Sequence, residues 1–186
     1  MWLGRPPTYN LLISEPDEFS SLSGVDLMRK KIKFYAAGGN GKAGLPDGKC
    51  GFNYQMDLAA ASSELELLPV DLPVVFAGGS GSALKIGSVM NQTRPDHIIR
   101  RSYEAYFDGI AKDRPTWDQL RVVYRSLPSL RTLWDTSLPG NIEVSQEGII
   151  TYGAKPIRNR SYAYVNDLDE MRLKITELMI YDPREK

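Results

Sequence analysis

Between Thr93 and Leu127 the chain twice carries apolar side chains at helical spacing, and each run opens on a proline. In the first, Thr93 stands as a cap and Pro95 in the opening turn, and Ile99, Tyr103, Tyr106 and Ile110 follow at steps of four, three and four. In the second, Asp113 and Pro115 lead into Trp117, Leu120, Tyr124 and Leu127, at steps of three, four and three. Proline is pre-set for the first turn of a helix and lacks only an N–H that has no intrahelical partner there. These runs predict two amphipathic helices, and each apolar face needs another layer to cover it.

The pattern changes after Pro128. Asn141–Val144 and residues 149–152, joined by Ser145-Gln146-Glu147-Gly148, predict a hairpin. SYAYV (161–165) and MRLKITELMIY (171–181) read as further strands, since Met171, Leu173 and Ile175 alternate with charged residues. The expected class is α+β: a single domain with an antiparallel sheet and about two packed helices. Upstream, GGNGKAGLPDGKCG (38–51) and GGSGS (78–82) are loops by composition, and FNYQMDLAAA (52–61) suits a strand or a short helix. Pro69 and Pro73 confine any strand in ELELLPVDLPVVFA to an edge or an end.

Residues 1–24 hold Pro6, Pro7 and Pro16, an acidic group at Glu15, Asp17 and Glu18, and no sustained apolar period. Such a segment buries too little to offset its ordering entropy, so a flexible N-terminal arm is expected over 1–24 and a compact core over 25–186.

Lys and Arg total 23, as do Asp and Glu, which argues against a uniformly basic nucleic-acid binder and confines electrostatic partners to local patches. The lone cysteine, Cys50, allows no intrachain disulfide and no cysteine-based zinc site. No apolar stretch approaches the ~20 residues that span a bilayer, and the opening lacks a signal-peptide layout, so a soluble intracellular protein is expected.

The enzyme readings are weak. Gly39-Asn40-Gly41-Lys42-Ala43-Gly44 satisfies G-x-G-x-x-G, but Leu45-Pro46-Asp47-Gly48 continues the loop where a dinucleotide site needs a helix to begin. A Cys50–His97 dyad has no flanking signature, and His97 reads as a surface histidine near a helix cap. Asp167, Asp169 and Glu170 read as a solvated turn. The expectation is a protein without catalytic residues, cofactor or metal.

Three basic groups could form a face for acidic lipid or phosphate: Arg29, Lys30, Lys31 and Lys33; Arg100 with Arg101; and KPIRNR (155–160). Each Lys or Arg near an anionic surface contributes on the order of 1 kcal/mol, so such a group needs a second anchor.

The sharpest motif is Pro6-Pro7-Thr8-Tyr9. Proline fixes φ and holds the preceding residue extended, so Arg5-Pro6-Pro7 is pre-set as polyproline helix. WW domains take such ligands in aromatic-lined grooves, and a tyrosine two residues after the second proline fills a companion pocket. Pro6, Pro7 and Tyr9 satisfy P-P-x-Y.

With PPTY ahead of an α+β core, the chain resembles matrix proteins of rhabdoviruses and related negative-strand RNA viruses. Residues 105–130 (AYFDGIAKDRPTWDQLRVVYRSLPSL) resemble the family's helix–Gly-x-Ala-Lys/Arg-Pro–helix region. Residues 129–152 are similar to the following segment of lyssavirus-like members, and MRLKITELMIYD (171–182) to the late strand of vesiculovirus-like ones. The chain is short for the family and lacks the lysine-rich N-terminal tract by which some members bind membranes; Arg29, Lys30, Lys31 and Lys33 stand in its place. The resemblance implies a structural protein of the virion, host cytoplasm and inner face of the host membrane. Its implied partners are further copies of itself, the viral nucleocapsid, an acidic membrane face, and a host WW-domain ubiquitin ligase that reads PPTY as a late-domain motif during budding.

Overall fold

The computed structural model describes residues 7–37, 48–153 and 155–185. The chain is α+β and divides into two compact units, each assembled from two stretches: Met1–Gly79 with Thr136–Tyr164, and Ser80–Asp135 with Val165–Lys186.

In the first unit, α1 (Pro7–Leu12) and α2 (Gly24–Lys31) precede β1 (Tyr35–Ala37). Then come α3 (Phe52–Gln55), α4 (Leu58–Leu67) and β2 (Val74–Phe76). Ser23 caps α2 by accepting the Asp26 N–H, and Asp57 caps α4 by accepting the Ala60 N–H at 2.9 Å. After Thr136 the unit adds β6 (Asn141–Val144), β7 (Ile150–Gly153) and β8 (Arg160–Val165, up to Tyr164). β6 and β7 form the expected antiparallel hairpin. By contrast β1, β2 and β8 lie side by side in that order with both pairings parallel. Parallel neighbours need a crossover, and α3 and α4 occupy the connection from β1 to β2. Pro73 precedes β2 directly, so its missing N–H falls outside the ladder of a strand flanked on both sides. The core gathers Leu12, Met28, Tyr54, Leu65, Val74, Phe76, Ile142 and Ile150.

The second unit holds β3 (Lys85–Ile86), α5 (Ile98–Phe107), β4 (Arg114–Pro115), α6 (Trp117–Ser126), β5 (Trp134–Thr136, up to Asp135) and α7 (Leu168–Ile180). β3 and β4 pair antiparallel. Both expected helices form. α5 starts at Ile98, later than Thr93 and Pro95 suggested, and of its predicted face only Tyr103 is buried; Tyr106 is exposed and Ile110 lies beyond the helix. α6 buries Leu120, Val123 and Tyr124. Gly81 explains the second glycine run: a Cβ there would stand 2.6 Å from the Trp117 backbone nitrogen, so only glycine admits the start of α6.

Three expectations need correction. Residues 171–181 are not a strand: α7 covers them as far as Ile180, burying Met171, Ile175 and Met179 at four-residue steps, with Leu173 exposed. The arm over 1–24 is folded from Pro7 onward, because Leu12 enters the core and the Ser14 carbonyl accepts the Gly24 N–H at 2.9 Å. His97 is not on the surface but buried, at the N-cap of α5.

Candidate functional site

The PPTY stretch runs into α1. Pro6 lies outside the described residues, and Pro7 is the first residue of the helix. α1 packs against α2 and α4. Thr8 and Leu12, four apart, share the inward face; Tyr9 is half-buried, and Asn10 and Leu11 are exposed. The Thr8 hydroxyl lies 3.0 Å from the Tyr35 phenol, which donates to Glu64 Oε1 at 2.9 Å. Since Tyr35 spends its single proton on Glu64, Thr8 is the donor to Tyr35. Glu64 is 2% exposed, and burial pushes its carboxyl up, opposed by the Tyr35 hydrogen bond. The Tyr9 carbonyl accepts the Ile13 N–H at 3.1 Å, closing the helical turn.

At Gly24 the backbone of α2 comes so close that an added Cβ would overlap the Leu11 carbonyl oxygen. Seven residues along, α2 ends in the basic group. Arg29, Lys30, Lys31 and Lys33 are all exposed, and Arg29 pairs with Asp26 at 3.1 Å. Three of these cations sit in the last turn, where they also complement the helix dipole. The motif helix and the basic turn thus share one unit, on helices that touch.

The other sequence candidates separate. The G-x-G-x-x-G stretch at 39–44 lies outside the described residues. Cys50 belongs to the first unit, where burial raises its thiol pKa, and His97 to the second, with Nε2 3.4 Å from the Tyr181 carbonyl. Asp167, Asp169 and Glu170 form the first turn of α7 rather than a loose turn: Asp167 caps it, Asp169 pairs with Arg172, and Glu170 with Lys174. Arg100 is held by Glu104 and by the carbonyls of Asn91 and Thr93.

Sequence reading missed three features. Within KPIRNR, Arg160 is buried, not part of a basic face. Its guanidinium donates to Asn141 Oδ1, to the Ile142 carbonyl and to the Leu65 carbonyl, while Nε finds no partner. Burial, aided by Arg158, lowers its pKa to about 10. The second feature is a groove of about 560 Å³ in the second unit, lined by Trp117, Val122, Val123, Leu127, Leu178 and Met179 among others. The third is the Thr8–Tyr35–Glu64 chain. No local pattern marks it, because its members lie 27 and 29 residues apart.

No helix among the described residues is long and apolar enough to cross a membrane. Comparison with protein-family models, with curated proteins and with solved structures finds no match.

Proposed function

We propose that the chain is a non-enzymatic assembly protein of the viral matrix type, with Pro6, Pro7 and Tyr9 as the ligand for a host WW-domain ubiquitin ligase. The observation that carries this reading is the complete P-P-x-Y leading into α1, with Tyr9 only half-buried. In this reading the neighbouring turn of Arg29, Lys30, Lys31 and Lys33 meets an acidic membrane face or the nucleocapsid. Self-association multiplies these individually modest contacts, and avidity supplies the strength. The reading gives Cys50 no catalytic part: a thiol whose pKa is raised by burial is a poor nucleophile at neutral pH.

Replacing Tyr9 by Ala tests it. The variant should lose capture by a WW domain that reads P-P-x-Y and should release fewer virus-like particles from cells, with its circular dichroism unchanged. Normal release together with no WW capture of the parent chain would sink the proposal.

A second reading is favoured by one observation. Leu12 is in the core and Thr8 is tied to Tyr35, so PPTY could serve only as the entry to α1 in a general α+β interaction or virion module. There, Tyr9→Ala changes neither capture nor release.

A further inference from the structure

We propose that α1 is an inhibitory latch on its own motif: Pro7–Leu12 is stored as a docked helix, and PPTY is readable only when that helix lifts from α2 and α4. The inference rests on the reading of PPTY as a WW ligand and adds how access to it is controlled.

The backbone argument comes first. A WW groove takes polyproline geometry, with ψ near +145° and no internal hydrogen bonds, whereas an α-helix has ψ near −42°. Tyr9 lies inside α1, and its carbonyl is engaged by the Ile13 N–H. The segment cannot satisfy both geometries, so binding requires that this turn open.

The side chains show what holds it shut. Leu12 is 3% exposed within the core cluster. Thr8, the variable position of the motif, donates to Tyr35, and Tyr35 in turn serves Glu64 on α4. On the other flank Gly24 lets the start of α2 close against the Leu11 carbonyl, a fit that any side chain would destroy.

The helix has no means of persisting once undocked. α1 has six residues, well below the ~12–15 at which isolated helices become even marginal in water. Release from unit 1 and loss of helical geometry are therefore one event, and the freed Pro7 falls back to its extended preference. A partner that binds only the released state sees its affinity reduced by the released fraction.

The test compares the intact chain with a synthetic peptide of residues 1–13, titrated calorimetrically with one recombinant WW domain that reads P-P-x-Y. The expected result is at least tenfold weaker binding by the intact chain. Tyr35→Phe, which removes the hydroxyl joining Thr8 to Glu64, should narrow that gap without touching the motif. Hydrogen exchange at the Ile13 amide, followed in the unmodified chain, should accelerate on adding the WW domain. That readout does not depend on whether a variant folds. Equal affinity of chain and peptide, or an Ile13 amide that stays protected in the saturated complex, overturns the latch and leaves the ligand reading standing. A peptide that does not bind overturns the ligand reading, and the latch with it.

Discussion

The carboxylate of Asp167 accepts the backbone N–H of Glu170 at 2.9 Å, and this contact starts the longest helix among the described residues, α7. Asp167→Ala leaves that N–H without its acceptor and should destabilise the second unit by about 1 kcal/mol, with Asp167→Asn close to the parent. Urea titration followed by the fluorescence of Trp117 and Trp134 checks it. An unchanged Asp167→Ala midpoint would mean that the packing of Met171, Ile175 and Met179 alone defines the helix.

The same stretch shows where local pattern misleads. Met171, Leu173 and Ile175 alternate as a strand would, yet Met171, Ile175 and Met179 also fit a helix, and both periods coexist in eleven residues. The Asp167-x-x-Glu170 start is the signal that separates them. Where one period stood alone, as in α6 or the β6–β7 hairpin, the element was legible. The parallel pairing of β2 with β8 was not, because partners such as Val75 and Ser161 are 86 positions apart and nothing in either strand names the other. The site divided in the same way: PPTY is readable as four letters, but that its last three open a docked helix depends on Tyr35 and Glu64.

Arg160 is the largest fully buried side chain among the described residues, and its guanidinium satisfies three acceptors on two other segments of the first unit, two on β6 and one on α4. Arg160→Ala strands all three, and each buried unmade bond costs about 1–3 kcal/mol, so a loss on the order of 3–5 kcal/mol is expected. Arg160→Lys should fall between, since one ammonium cannot reproduce a planar fork. Amide exchange in β6 and β8 reports on this unit. A loss under about 1 kcal/mol for Arg160→Ala would show that water takes over the stranded groups.

Asp182 receives both arms of Arg184, from Nε at 2.9 Å and Nη2 at 2.7 Å, and Arg184 reaches on to Asp96. The Arg184 hydrogen bonds hold the Asp182 carboxyl well below the usual carboxylate range. A depressed carboxyl contributes stability that is present above its unfolded pKa, about 3.9, and is lost as pH falls from there. The stability difference between the parent and Asp182→Asn should accordingly be largest near neutrality and shrink on acidification below about pH 4. Parallel denaturation curves at several pH values, read by tryptophan fluorescence, measure that difference; a constant gap would remove the assignment.

Glu64 runs the other way. Its carboxyl is buried on α4, burial raises its pKa, and the Tyr35 hydroxyl offsets only part of the effect. The native state therefore holds the Glu64 proton to a higher pH than the unfolded chain does. Between the unfolded pKa, about 4.3, and the raised native one, stability falls as pH rises, and above the native value the full penalty of burying the charge remains. Glu64→Gln keeps an oxygen acceptor for Tyr35 and removes the charge. The first unit of this variant should lose the falling slope and be more stable than the parent at neutral pH. The gain is about 1.4 kcal/mol for each tenfold by which burial tightened the proton. Exchange rates of the β2 amides in both proteins, from mildly acidic to neutral pH, give the difference directly, with the contributions of all other carboxyls cancelling. If that difference does not grow with pH, Glu64 is already charged in the native state at low pH, and the hydrogen bond from Tyr35 outweighs the burial.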